Sequence, residues 1–133
     1  MMLLSYFHDV WTWHIKFLVP CPDHPVEPPQ DRKALRKKLL HEELKELTDA
    51  IDSGDMEGVA DGIADLVWVA CGTAAEYGID LDGVWAEVSE ANWRKLGSDG
   101  EPILRDDGKI LKPEGWVGPD IGRVLRMQGY KSE

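Results

Sequence analysis

Arg36-Lys-Lys-Leu-Leu-His-Glu-Glu43-Leu-Lys-Glu46 decides the reading of this chain, together with the apolar run from Val59 to Ala75 that follows it. At 100° per residue with Leu35 at zero, Leu35, Leu39, Ala50, Leu47, Leu40, Ile51 and Leu44 fill an arc of about 180°. That pattern predicts an amphipathic helix. Glu42, Glu43 and Glu46 fall at about 340°, 80° and 20°, inside or at the edge of the leucine arc. Carboxylates there would repel one another and lose hydration worth several kcal/mol each, so something must compensate them. The next helix is apolar on nearly every side. Its charges between Val59 and Ala75 are Asp61 and Asp65, spaced i, i+4 and so on one face. Five acids on two successive helices form an oxygen cage suited to a hard divalent cation such as Mg²⁺ or Mn²⁺. An EExxE run by itself is usually a solvated helix face. The wheel position and the Asp61/Asp65 pair are what tip the reading toward a metal site.

Working outward, Phe7, Trp11, Ile15 and Leu18 recur at helical spacing and predict a helix over 2–18. Pro20, Pro22, Pro25, Pro28 and Pro29 leave an extended connector over 19–30. Asp31 is the expected N-cap of the helix carrying the glutamates, which ends at Ser53-Gly54. Asp55 caps the next one, which runs to about Tyr77 with Gly78 just beyond it. A fourth helix is expected from Asp80 to Gly97. Asn92 and Lys95 lie in its apolar arc, where Lys95 either binds an anion or pairs with a core acid. Pro102–Arg105 and Lys109–Lys112 flank Asp106-Asp107-Gly108, a turn suited to a small β-hairpin, and a short last helix is expected over 121–127. The expected fold is all-α: an antiparallel helical bundle of about four main helices, with a C-terminal β-hairpin and a short last helix, in one domain spanning 1–133.

The chain has 133 residues, with 25 Asp plus Glu against 15 Lys plus Arg, a formal net charge of −10. That balance lacks the basic footprint of a nucleic-acid binder. Cys21 and Cys71 have no zinc-site spacing and read as reduced thiols of a cytoplasmic protein. The uncharged run Leu66–Ala75 is half the length that spans a bilayer, so no membrane partner is expected.

Glu42-Glu43-Leu44-Lys45-Glu46 followed by Asp61-Gly62-Ile63-Ala64-Asp65 resembles the EExxE…ExxD signature of the all-α nucleoside triphosphate pyrophosphohydrolases, the MazG-like and phosphoribosyl-ATP pyrophosphohydrolase-like superfamily. Ala91-Asn-Trp-Arg-Lys95 and Leu111-Lys-Pro-Glu-Gly-Trp116 are similar to segments of a short single-domain branch of it. The signature would place Glu at position 62, where this chain has Gly62 with Asp61 one position earlier. Either Asp61 takes over that ligand role or one metal position is lost. The resemblance implies cleavage of the α–β phosphoanhydride of a nucleotide to a monophosphate and pyrophosphate. It implies Glu43, Glu46, Asp61 and Asp65 as metal ligands, with Glu42 as general base or outer ligand. Arg36, Lys95 and Lys112 would bind phosphate, Asn92 would bind sugar or base, and Trp116 would stack on a base. A homodimer or dimer of dimers is implied as well. Phosphoribosyl-ATP is the alternative substrate, and a catalytically inactive nucleotide-binding module is an alternative function that Gly62 keeps open. A redox di-metal bundle would need Glu-x-x-His motifs, and the chain has none.

Overall fold

The computed structural model describes residues 5–131 and contains five helices over that span: α1 Tyr6–Lys16, α2 Gln30–Ser53, α3 Met56–Glu76, α4 Leu81–Trp93 and α5 Ile121–Met127. Their starts follow from local chemistry. Ser5, Asp55, Asp80 and Asp120 each accept a hydrogen bond from a first-turn N–H of α1, α3, α4 and α5 respectively. Their ends do too, since Gly54 and Gly78 adopt left-handed φ values of 68° and 67° just past α2 and α3.

Several expectations are corrected. The second helix starts two residues early: Pro29 occupies the cap and Asp31 lies in the first turn, where its charge favours the N-terminal dipole. The fourth helix ends at Trp93 with Arg94 as its C-cap, so Lys95 lies beyond it. Of the expected first helix, residues 2–4 lie outside the described residues. No strand forms among the described residues. The expected C-terminal β-hairpin is reduced to a single antiparallel bridge between Leu104 and Ile110. Its turn does form, with Arg105 N–H donating to Lys109 O and Gly108 N–H to Arg105 O, both at 2.8 Å. Residues 101–110 are all exposed, and a two-stranded ladder with no buried face has little to hold it.

The two residues Gly54 and Asp55 turn the chain so that α2 and α3 pack as an antiparallel pair, and α1 packs on α3. The apolar core is the α1–α3 seam: Phe7 and Val10 against Cys71, Ala74 and Ala75. Cys21 and Cys71 are both free thiols. By length and composition α3 is apolar enough to cross a membrane, yet it sits between α1 and α2 and carries four carboxylates, Glu57, Asp61, Asp65 and Glu76. The leucine arc of α2 is only partly covered within one chain: Leu44 is 48% exposed and Ile51 57%.

A polar cluster ties the three helices at their other end. Glu76 is wholly buried. Its Oε1 accepts from Arg32 Nε at 2.7 Å, and its Oε2 accepts from Arg32 Nη2 and Arg36 Nη1, each at 2.9 Å. Arg36 also donates to Val69 O at 2.8 Å and to Thr73 Oγ1 at 3.2 Å. Buried His14 donates from Nδ1 to Pro20 O at 3.2 Å. Gly72 makes room for this cluster: a Cβ there would lie 2.6 Å from Arg36 Nη2 and 2.9 Å from His14 Nε2. Burial above all, with the positive charge of Arg36 adding to it, lowers the His14 pKa.

Candidate metal centre

Antiparallel packing of α2 on α3 brings the glutamate turn of one helix beside the aspartate turn of the other. One oxygen each from Glu43, Glu46 and Asp65 lies within 4.8 Å of the others. Glu43 and Asp65 are half-buried and Glu46 is exposed. None of the three is ion-paired to Lys or Arg among the described residues. Glu43 Oε2 is buried with no hydrogen-bond partner among the described residues, a costly arrangement unless a cation or proton satisfies it. Desolvation first, then the charges of Glu46, Asp65 and Glu42, push the Glu43 carboxyl above the usual carboxylate range. An all-oxygen donor set with an orphaned buried oxygen fits a hard divalent cation.

The shift in Glu43 has a testable sign. Folded Glu43 keeps its proton at pH values where the unfolded chain has released it, so the folded state binds more protons in that window. Stability of the metal-free protein therefore falls as pH rises from the ordinary Glu range through the raised pKa. His14 acts with the opposite slope: the folded state resists protonation, so stability rises with pH through the window ending at the usual imidazole pKa. Thermal melts in chelator should show a downward contribution with rising pH that Glu43→Gln removes. Added Mg²⁺ should raise the melting temperature of the native chain more at pH 8 than at pH 5, because the cation competes with that proton. Equal slopes in the two proteins would exclude Glu43 as the titrating group.

The other expected site residues are placed less uniformly. Asp61 is exposed, and its oxygens are outside the group formed by Glu43, Glu46 and Asp65. Gly62 is buried against α2. Glu42 is exposed, 4.0 Å from Lys38. Arg36 is drawn into the Glu76 cluster, two turns or about 10 Å along α2 from Glu43, with its guanidinium engaged by carboxylate, carbonyl and hydroxyl. This geometry leaves it no free face for a phosphate.

Asn92, Lys95, Lys112 and Trp116 come together around the end of α4. Trp116 Nε1 donates to Ala91 O at 2.8 Å, while Lys95 and Lys112 Nζ lie 5.4 and 4.9 Å from its ring centroid. Neither lysine pairs with a carboxylate among the described residues. Alongside runs a groove of about 390 Å³ lined by Trp85, Asn92, Trp93, Lys95 and Ile110, among others. Sequence reasoning did not find the Arg32–Arg36–Glu76 cluster. A signal was present. Arg32 and Arg36 fall at about 60° and 100° on the α2 wheel, inside the leucine arc, which calls for a buried anion on a neighbouring helix.

An all-helical bundle that gathers acids from an EExxE turn and a following Asp turn belongs to the all-α nucleoside triphosphate pyrophosphohydrolase class. The sequence model of the phosphoribosyl-ATP pyrophosphohydrolase family matches residues 16–92, and the chain belongs to that family. It is a hydrolase acting on pyrophosphate bonds. A crystal structure assigned as an NTP pyrophosphohydrolase from Exiguobacterium sp. 255-15 aligns over 96% of this chain and 95% of that one, at 25% identity and a TM-score of 0.47. No curated protein matches the chain.

Proposed function

We propose that this chain is a single-domain, Mg²⁺-dependent nucleoside triphosphate pyrophosphohydrolase that cleaves the α–β phosphoanhydride to a nucleoside monophosphate and pyrophosphate. The observation that carries the reading is the convergence of Glu43, Glu46 and Asp65 around the orphaned Glu43 oxygen. A divalent cation held there supplies charge neutralisation of the polyphosphate and Lewis acidity at the reacting phosphorus, with Mn²⁺ a possible substitute for Mg²⁺. Glu43 and Glu46 from α2 and Asp65 from α3 would hold the ion, and exposed Glu42, next to Glu43 in sequence, is the candidate to accept a proton from the attacking water.

Lys95 and Lys112, both without a carboxylate partner among the described residues, bind phosphate oxygens. Asn92 reads the sugar or base. Trp116 has its N–H bonded to Ala91 and two ammonium groups near its ring, so it gathers the lysines. Base stacking in this reading falls to the groove and its 73% exposed Trp93. The uncovered apolar residues of α2, with Ile63, Val67 and Trp68 of α3, support association of copies as a dimer or dimer of dimers.

Phosphoribosyl-ATP is the second substrate reading, and the family match over residues 16–92 favours it. A pyrophosphate-release screen with Mg²⁺ and Mn²⁺ over standard and modified nucleotides and phosphoribosyl-ATP decides between them. Release from one or more nucleoside triphosphates is expected. Release from phosphoribosyl-ATP alone transfers the assignment to the second reading. Nucleotide binding with no release from any substrate would leave a non-catalytic module and overturn both.

A further inference from the structure

The metal centre is bounded on the α3 side by the backbone of α2. Residue 62 precedes Asp65 by three positions, the spacing from which a helix offers a second side chain to the same face. Here it is Gly62, buried, and a Cβ built on it would stand 3.0 Å from Leu47 Cα and 3.1 Å from Leu47 Cβ. The close passage of the helices fills the space a carboxylate would need. Asp61, the next acid on that helix, is exposed and outside the converging oxygens, and Glu42 faces solvent near Lys38.

Three carboxylates remain. Oxygens around one octahedral Mg²⁺ or Mn²⁺ at about 2.1 Å stand roughly 3 to 4 Å apart, which suits three oxygens gathered within 4.8 Å. A pair of ions about 4 Å apart would set four positive charges on three carboxylates with no polyphosphate to bridge them, so in the absence of nucleotide their mutual repulsion disfavours the second ion. We infer that Glu43, Glu46 and Asp65 hold a single divalent cation per chain in the absence of nucleotide, with Asp61 taking no part. The inference rests on the metal-site reading proposed above and narrows it.

Titrating the full chain with Mn²⁺ alone tests this, with bound ion counted by the loss of the free Mn²⁺ electron paramagnetic resonance signal. One ion per chain is expected, retained within about twofold in affinity by Asp61→Asn and weakened more than tenfold by Glu46→Gln. Both substituted residues are exposed, and circular dichroism of each variant checks that the helices persist. Two ions per chain in the native protein, or loss of the ion in Asp61→Asn, overturns the single-ion inference while leaving a metal-dependent enzyme intact. No saturable Mn²⁺ binding overturns the metal centre itself.

Discussion

Glu46→Gln is expected to lower turnover by more than about 100-fold and to leave the helical circular dichroism signal unchanged. Glu46 is exposed, and its side chain lies in the acidic cluster rather than in the core, so the substitution removes one negative ligand without opening a cavity. Replacing carboxylate by amide also reduces repulsion with Glu43, whose raised pKa owes part of its shift to Glu46. The variant should therefore be at least as stable as the native chain in chelator and gain less stability from added Mg²⁺. Steady-state pyrophosphate release and thermal melts with and without metal check the two halves separately. Native-like turnover in Glu46→Gln would sink the assignment of the three carboxylates as the catalytic metal site.

Glu76→Ala carries the largest expected cost in stability, about 3–5 kcal/mol. The substitution leaves the buried Arg36 guanidinium, and Arg32 beside it, facing an empty space where both oxygens of Glu76 had been. Breaking a buried ion pair from one side leaves an uncompensated charge, which costs more than the pair contributes when intact. The melting temperature should fall by roughly 10–20 °C for a chain of this length. Replacing both partners with apolar residues, Glu76→Leu with Arg36→Met, should recover much of the loss. Chemical denaturation of the two single variants and the double variant measures the coupling. A Glu76→Ala protein within about 1 kcal/mol of the native chain would mean that the cluster is solvated in solution.

Much of the fold was legible because short-range chemistry sets it. The wheel of α2, the all-round apolarity of α3, the starts at Asp55 and Asp80 and the left-handed glycines after α2 and α3 each depend on neighbours within a few residues. The C-terminal turn was read correctly from Asp106-Asp107-Gly108, and the strands around it were not, because a strand needs a buried face and the turn needs only its own backbone. Lys95 was assigned to α4, yet the helix stops at Trp93. Element ends depend on what the following segment packs against, here the Trp116 indole on Ala91 O.

At the candidate site, periodicity put Glu43, Glu46 and Asp65 on faces that could meet, and the tertiary structure brings one oxygen of each within 4.8 Å. The i, i+4 spacing of Asp61 and Asp65 placed both on one face of α3, but a shared face spans a full helical turn. Only the point where α2 crosses α3 selects Asp65 and leaves Asp61 outside. Gly62 marks that crossing.

Arg36 shows the same limit. The resemblance implied a phosphate for it, whereas its place in the apolar arc of α2 is met by a buried carboxylate. From sequence alone this chain determined its helices, its acidic turns and its family, because each depends on residue types at fixed short spacings. Only the tertiary structure decided which charges neutralise one another, since Glu76 is forty positions from Arg36 and is brought beside it by antiparallel packing. The same packing leaves Glu43 with a buried oxygen that has no partner among the described residues.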